Sequence, residues 1–171
     1  MAGTKIRLIS WNVRGLNDKI KRSLVLDHLK KLGADVMLLQ ETHLIGQRVR
    51  ALRRHWIHPT LHAEYSTYSR GVAILFRKAS LPSIEKTISD TYGRFLILKL
   101  TIASVPLIIV NVYSPPPGEI ALLQLIMGKI ASIGDYPTVW MGDFNAVPDP
   151  NLDRLRKAPG PDGLPIEWYK A

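Results

Sequence analysis

The apolar positions of this chain form two patterns, short apolar runs typical of strands and longer segments with apolar residues every three or four positions, typical of helices. Ala103 and Ser104 leave room only for a tight turn between two of the runs, which predicts an antiparallel hairpin. The run with Val139, Trp140 and Met141 predicts a buried strand that Gly142 ends. The predicted strands span residues 5–12, 35–41, 71–76, 84–89, 94–102, 105–113 and 138–141.

The first predicted helix follows the first strand. Its basic residues, Arg22 among them, fall largely on one face, and Gly33 follows in the position that a C-terminal glycine usually takes. Its apolar face is predicted to consist of Ile20, Leu24, Leu29 and Leu32. The predicted helices span residues 18–32, 47–55 and 119–133.

The other two predicted helices differ in apolar content. The second is strongly basic, and its Ala51, Leu52 and neighbouring Trp56 supply little apolar surface, so we expect it to lie on the outside of the protein. The third has a continuous apolar stripe, which predicts packing against a sheet. The stripe consists of Ile120, Leu123, Ile126, Met127 and Ile130.

The composition is that of a soluble globular domain. A length of 171 residues suits one domain with a substantial core, and 46% hydrophobic with 22% charged residues is ordinary. The chain has no cysteine, which excludes a disulfide framework and a thiolate metal site. The N-terminus lacks the apolar core of a signal peptide, and no apolar run reaches the length of a membrane span. We therefore expect a soluble, intracellular protein with no membrane contact.

The positive charge is concentrated in the first third of the chain. Of the formal net charge of +9, residues 1–54 carry +8, with twelve Lys or Arg against four Asp or Glu. This distribution favours a polyanionic partner, nucleic acid first, whose phosphates the cations would neutralise. The alternative is a solvated basic surface without a partner. The candidate nucleic-acid-binding residues are Arg14, Arg48, Arg50, Arg53 and Arg54.

Four predicted strands end in polar side chains that suit a metal ion or a phosphate. If these ends lie together, Glu41 and Asp143 supply hard oxygen ligands, while two amides and a phenol supply hydrogen-bond donors. Such a set suits a phosphodiester held against Mg²⁺. The alternative, for each residue taken alone, is an ordinary turn residue at a strand end. The five candidates are Asn12, Glu41, Tyr113, Asp143 and Asn145.

The same strand ends carry a family resemblance. Ser-Trp-Asn-Val-Arg-Gly-Leu (10–16), Leu-Gln-Glu-Thr-His (39–43), Asn-Val-Tyr-Ser-Pro (111–115) and Gly-Asp-Phe-Asn (142–145) resemble, in this order, the motifs of the endonuclease/exonuclease/phosphatase superfamily. Within it, the chain looks most like the endonuclease domain of LINE-type (non-LTR) retrotransposon polyproteins. The resemblance implies a four-layer α/β sandwich over residues 5–155, with two mostly antiparallel sheets face to face and helices outside, incomplete at the C-terminus.

The resemblance also implies a role for each candidate residue. It makes Glu41 the principal Mg²⁺ ligand, with Asn12 close to the metal and the phosphate. Asp143 would orient or deprotonate the attacking water. Asn145 would bind the scissile phosphate, and Tyr113 would donate a hydrogen bond to a phosphate oxygen. These implied roles agree with the chemistry inferred from the residue types.

The chain departs from the family pattern after the Gly-Asp-Phe-Asn segment. The family motifs close with a Ser-Asp-His segment whose histidine bonds the scissile phosphate, but all five histidines here precede residue 63. Residues 156–171 instead resemble the start of the reverse-transcriptase domain of the same polyproteins; taken alone they predict a Pro- and Gly-rich flexible tail. We therefore expect a partial nuclease domain of marginal stability, joined near Arg156 to a polymerase-like segment.

Three hypotheses about function follow. The first is a Mg²⁺-dependent phosphodiesterase of LINE type that nicks DNA, with chemistry impaired by the missing Ser-Asp-His segment. The second is a catalytically inactive remnant that keeps some nucleic-acid binding. The third is a small-molecule phosphatase of the same superfamily, which the charge distribution and the C-terminal segment oppose. The first hypothesis implies a nuclear location if the protein acts in the family manner.

Overall fold

The computed structural model describes residues 5–56, 58–77 and 82–145, with only the backbone of residues 53–55. The predicted segment 156–171 and the predicted domain end near residue 155 lie outside these ranges. The elements are, in order, β1 (Leu8–Asn12), α1 (Lys19–Leu32), β2 (Val36–Gln40), α2 (Gln47–His55), β3 (Thr60–Ala63), β4 (Val72–Phe76), β5 (Ser83–Ser89), β6 (Phe95–Ile102), β7 (Val105–Tyr113), α3 (Ile120–Ala131) and β8 (Thr138–Asp143).

The strands form two sheets of four. The N-terminal sheet has the order β1-β2-β4-β3 and the C-terminal sheet the order β5-β6-β7-β8. One pair in each sheet is parallel, β1 with β2 and β7 with β8, because α1 and α3 return the chain to the starting end of the strand before them. The predicted β6–β7 hairpin is confirmed, with Ala103 and Ser104 at φ 50° and 64°, as a two-residue turn requires.

Three apolar layers hold the sandwich together. One lies between the sheets, where side chains such as Leu38 and Phe76 meet Leu96 and Leu98 of the other sheet. A second lies between the N-terminal sheet and helices α1 and α2, and the third between the C-terminal sheet and α3. Strands β2 and β4 are buried at every residue because both of their faces are covered, which explains their continuous apolar sequences. The predicted sandwich of two sheets flanked by helices is confirmed.

Helix α1 forms over its predicted segment but buries a different face. Ile20 and Leu24, predicted to face the core, are 71% and 66% exposed. Arg22, predicted on the solvent face, is buried because its Nη1 donates to two carbonyl oxygens of the loop after β1, at 2.7 and 3.2 Å. An arginine that satisfies buried carbonyl groups thus occupies an interior position. The buried residues of α1 are Arg22, Val25, Leu26 and Leu29.

The other helices also differ from prediction. Val49 and Leu52 of α2 and Trp56 after it are at most 4% exposed, so the prediction of a helix with little apolar surface is wrong. Their spacing of three and then four residues is enough for one buried stripe. On α3 the stripe is narrower than predicted, since Ile120 and Met127 are 76% and 61% exposed. In the described part of the chain, no helix is long and apolar enough to cross a membrane.

Strands β1 and β8 lie at equivalent edges of the two sheets. Within the described residues, each pairs with one neighbour only, and the two face each other across the sandwich. All five residues of β1 and all six of β8 are half-buried. The prediction of a buried strand at residues 138–141 is therefore wrong, because β8 is covered by β7 on one side and by no described strand on the other.

Candidate active site

The two parallel strand pairs bring the polar strand ends together at one end of the sandwich. In the N-terminal sheet Asn12 lies opposite Gln40, so Glu41 follows beside it. In the C-terminal sheet Tyr113 lies opposite Asp143. Parallel neighbours run in the same direction and so end at the same end of a sheet. The last side chains of the four strands therefore lie at one end of the sandwich. The five candidate residues are thus grouped, as the sequence predicts for strand ends that meet.

Asn12 joins the two sheets at this point. Its Nδ2 donates to Oε1 of Glu41 at 3.0 Å and to Oδ2 of Asp143 at 2.7 Å. Its own Oδ1 accepts the backbone N–H of Arg14 at 3.0 Å, which orients the amide. One neutral amide group therefore holds two carboxylates from different sheets next to each other.

Gly142 brings β8 close to β7. A Cβ at this position would overlap the carbonyl oxygen of Val112, and the φ angle of 151° is one that other residues rarely adopt. After β8, the backbone N–H of Asn145 donates to Oδ1 of Asp143 at 3.3 Å. The Nδ2 of Asn145 donates to the carbonyl oxygen of Ser114 at 2.9 Å. Asn145 is thereby fixed between the ends of β7 and β8.

Tyr113 is 8% exposed and pairs with Asp143 across β7 and β8. Burial, followed by the charge and hydrogen bond of Glu41 and the charge of Asp143, raises the pKa of its phenol from 10.0 to about 12, while the charge of Arg70 opposes the rise. The phenol therefore keeps its proton at neutral pH and can donate a hydrogen bond.

His43 lies at the candidate site, although no role was predicted for it. Its Nε2 lies 3.5 Å from Oε2 of Glu41, within ion-pair distance but without hydrogen-bond geometry. Burial lowers the pKa of the imidazole below 6.5; Glu41 opposes this shift and the charge of Lys21 adds to it. The imidazole is therefore neutral at pH 7. The available signal was its position two residues after Glu41, in the loop that directly follows β2.

A buried hydrogen-bond network lies behind the strand ends. Nδ2 of Asn111, which is 0% exposed, donates to the carbonyl oxygens of Leu39 and Ala73 at 3.0 and 2.9 Å. Its Oδ1 accepts from Nε2 of Gln40 at 2.7 Å, and Gln40 also donates to Oγ of Ser10 at 3.0 Å. The network ties β7 to three strands of the other sheet. Neither amide was predicted to support the site, although polar residues inside apolar runs usually have buried partners.

Strained backbone conformations also concentrate here. The left-handed region, which costs most residues on the order of 1–3 kcal/mol, is adopted by five non-glycine residues around the strand ends. Hydrogen bonds between the loops hold them, as between the N–H of His43 and the carbonyl oxygen of Arg70 at 3.1 Å. Such clustering is typical of functional sites. The residues, with φ between 45° and 61°, are Arg14, Glu41, His43, Arg70 and Asn145.

The oxygen atoms of the site fit a hard divalent cation. The carboxylates of Glu41 and Asp143 approach a common hydrogen-bond donor, so a cation near that point would meet oxygen ligands and two negative charges. Within the described ranges, no three His, Cys, Asp or Glu side chains group closely enough to hold a metal alone. Amide, water or phosphate oxygens would have to complete the coordination shell, which is common for Mg²⁺.

Two of the predicted nucleic-acid-binding arginines lie along the loop that follows β1. Arg14 is exposed directly after the strand, and Nη1 of Arg48 donates to Oδ1 of Asn17 at 3.0 Å, which attaches α2 to the same loop. Arg50 is exposed on α2. The side chains of Arg53 and Arg54 lie outside the described part of the protein.

Comparison with known proteins gives a family and a fold. A model of the Endonuclease/Exonuclease/phosphatase family matches residues 9–169. The chain is similar to an AP endonuclease from Archaeoglobus fulgidus (20% identity, TM-score 0.64) and to D. rerio TDP2 complexed with a single-strand DNA product (21%, 0.64). It is also similar to a mannosyl-6-phosphatase from Bacteroides thetaiotaomicron (13%, 0.64).

These similar structures are longer than the present chain. The matches cover 85%, 88% and 82% of this chain but 60%, 64% and 66% of the three others. At such identities the likeness shows the fold alone. The chain thus spans less than two thirds of each of these proteins.

Proposed function

Since this chain belongs to the endonuclease/exonuclease/phosphatase family, we propose that it hydrolyses phosphodiester bonds in DNA with the help of a divalent metal ion. The observation that carries the proposal is the contact of Asn12 with both Glu41 and Asp143. It gathers an amide and two carboxylates from separate sheets at the end of four strands, where a phosphate and a cation would find complementary groups.

The role proposed for each residue follows from its position in the site. Glu41 would hold the cation, with Asn12 beside it, and Mg²⁺ is the ion that this oxygen set suits best. When bound, such an ion polarises the phosphoryl group and neutralises developing charge. Asp143, whose carboxylate accepts from Asn12, is placed to orient the attacking water or to accept its proton.

Two further groups would contact the phosphate. The phenol of Tyr113 keeps its proton at neutral pH and can donate to a phosphate oxygen, because burial and two carboxylates raise its pKa. Asn145 is held just after β8, where its Nδ2 donates to the carbonyl oxygen of Ser114 in the loop after β7. We propose that these donors bind the scissile phosphate while Asp143 acts on the water.

DNA is the proposed substrate on two grounds. The basic first third of the chain includes Arg14 and Arg48 next to the site, which suits a phosphate backbone. Two of the similar structures are an AP endonuclease and a TDP2 bound to a single-strand DNA product. From the motif resemblance we further propose a LINE-type lineage, with nicking in the nucleus.

Two other functions are separable by experiment. One is DNA binding without cutting, which the basic first third of the chain would support by itself. The similarity to a mannosyl-6-phosphatase makes a small phosphomonoester the third candidate substrate.

The test is nicking of supercoiled plasmid with Mg²⁺ and with EDTA. We expect nicking only with Mg²⁺, and a loss of about 10²-fold or more in Glu41→Ala. Asp27→Asn, which changes an exposed carboxylate on α1, should leave nicking unchanged. Plasmid that is retained in a gel shift but never cut would replace the proposal with binding alone. Phosphate release from a small phosphomonoester without nicking would replace it with the phosphatase.

A further inference from the structure

Two loops at the same end of the sandwich expose tyrosines beside the candidate site. The loop before β4, residues 64–71, carries Tyr65 and Tyr68, and the loop between β5 and β6, residues 90–94, carries Tyr92. Their exposures are 46%, 89% and 53%. Large aromatic side chains usually bury most of their surface, so three exposed ones in adjoining loops point to a ligand.

The two loops form one continuous surface. The rings of Tyr65 and Tyr92 lie 6.2 Å apart, and the guanidinium of Arg70 lies 4.6 Å from the centre of the Tyr65 ring. The backbone N–H of Gly71 donates to the carbonyl oxygen of Gly93 at 3.0 Å. A Cβ on Gly93 would come within 3.0 Å of both Gly71 and Tyr65, so the approach of the loops requires glycine there.

The loop that carries Tyr68 is held in place without burying the ring. Oγ of Ser66 accepts the backbone N–H groups of Tyr68 and Ser69 at 3.2 and 3.0 Å. Nδ2 of Asn17 donates to the carbonyl oxygen of Thr67 at 2.7 Å. A ligand that stacks on Tyr68 would therefore not have to order the backbone of this loop, which reduces the entropic cost of binding.

Arg70 links this tyrosine surface to the candidate site. Its carbonyl oxygen accepts the N–H of His43 at 3.1 Å, and its charge acts on the phenol of Tyr113. The nearby carboxylates of Asp90 and Glu119 are paired with Arg94 at 2.9 and 3.1 Å, so they oppose an anionic ligand less than free carboxylates would. The exposed carboxylate of Glu64, next to Tyr65, accepts the backbone N–H of Gly46. Arg70 is thus the cation that a phosphate beside the Tyr65 ring would meet.

We propose that Tyr65, Tyr68 and Tyr92, with Arg70, form a stacking surface for the unpaired bases of a single-stranded nucleic acid whose phosphates reach the candidate site. The inference rests on the proposed function for its choice of nucleic acid as ligand. Aromatic rings stack on any base, and an arginine beside them can bind the phosphate between two stacked bases. A duplex hides its base faces, so the surface should prefer single strands, frayed ends or bulges.

The test measures binding of a labelled single-stranded oligonucleotide by fluorescence anisotropy in EDTA, so that cutting plays no part. A second oligonucleotide of equal length with abasic sites keeps the phosphates but lacks the bases. We expect the normal strand to bind about tenfold or more tightly than the abasic one. Tyr68→Ala with Tyr92→Ala should remove most of that difference and leave the affinity for the abasic strand unchanged.

Two controls distinguish stacking from a change in structure. Tyr68→Phe with Tyr92→Phe keeps the rings and should restore the preference for bases. Met127→Ala changes an exposed apolar residue on α3, 61% exposed, and should bind as the wild type does. Equal binding of the two strands by the wild type, no binding of either, or equal losses for both in the alanine variant would overturn the inference.

The outcomes also separate this inference from the proposed function. Base-dependent binding without Mg²⁺-dependent nicking would support the stacking surface and contradict the proposed phosphodiesterase activity. Nicking together with equal binding of the normal and the abasic strand would support the activity and contradict the stacking surface.

Discussion

The candidate site is built from two kinds of strand that are held in different ways. The inner strands β2 and β7 supply Glu41 and Tyr113, and their last residues are buried within their sheets. The outer strands β1 and β8 supply Asn12 and Asp143 and are half-buried along their whole lengths. One half of the site therefore lies on the core of the fold, and the other half on strands with a single described neighbour.

The two halves depend on different contacts. The inner strands are tied together by the buried amides of Gln40 and Asn111, behind the site. The outer strands meet through the hydrogen bond of 2.7 Å between Asn12 and Asp143. Changes to the buried amides that tie the inner strands should therefore reduce stability and activity together, whereas changes to the outer strands should reduce activity with a smaller effect on stability.

The largest effect is expected from Asn111→Ala. It would remove the three buried hydrogen bonds that this amide makes with Leu39, Ala73 and Gln40, at about 0.5–1.5 kcal/mol for each bond. We expect a loss of about 3 kcal/mol or more in the free energy of unfolding, measured in urea. Thr101→Ala removes an exposed hydrogen bond to Glu85 and should change stability by about 0.5 kcal/mol or less. Equal stability of the two variants would show that the network does not hold the inner strands.

Gly142→Ala, at the outer strands, should reduce the nicking rate more than it reduces stability. The added Cβ would overlap the carbonyl oxygen of Val112, so β8 must move away from β7. A displacement of about 1 Å at Asp143 can cost on the order of 10²-fold in rate, and we expect nicking to fall by about that factor, with less loss of stability than in Asn111→Ala.

Gly128→Ala is the matched control for this change. Gly128 lies in α3 with open space around its Cβ position, so alanine should stabilise the helix by roughly 0.5–1 kcal/mol and leave nicking unchanged. A Gly142→Ala variant that nicks as fast as Gly128→Ala would show that the approach of β8 is not required.

A smaller effect is expected from Tyr113→Phe, which removes one hydrogen-bond donor and keeps the ring. We expect about a tenfold slower nicking rate or more, with a melting temperature close to that of the wild type. An unchanged nicking rate would show that the phenol of Tyr113 does not donate to the phosphate. A large fall in melting temperature would mean that the hydroxyl group serves the fold instead.

The smallest effect is a pH dependence of stability in alkali. The pKa of the Tyr113 phenol rises from 10.0 to about 12, so the fold favours the neutral form. That stabilisation is fully present below pH 10 and is lost as pH rises toward 12. Urea unfolding at several pH values should therefore show a steeper alkaline loss for the wild type than for Tyr113→Phe. Parallel loss in both proteins would contradict the raised pKa.

Much of the fold and of the site could be predicted because the signals are local. Apolar runs marked seven of the eight strands, and polar residues at their ends marked the site. Strand β3 was missed because four residues, Thr60–Ala63, give too short a pattern. The buried face of α1 was missed because Arg22 lies inside, where its Nη1 donates to carbonyl oxygens of the loop directly before the helix.

The remaining features depend on contacts between segments far apart in the chain. No local pattern shows that the amide of Asn111 would meet Gln40, or that Arg70 would lie beside Tyr65 with its charge acting on Tyr113. The exposure of β8 could not be predicted either, because an apolar run looks the same in an inner strand and in an outer one. Such features follow from strand order, which the sequence does not display.

The central claim is that the ends of the two sheets act as one site, joined by Asn12 and Asp143. The direct test is a double-mutant cycle on the Mg²⁺-dependent nicking rate, with Asn12→Ala, Asp143→Ala and the double variant. Asn12→Ala combined with the exposed Asp27→Asn serves as the control pair, whose effects should multiply. We predict that the double variant at the site is about as slow as the slower single variant, as for residues that act as a unit. Losses at Asn12 and Asp143 that multiply as in the control pair would contradict the claim.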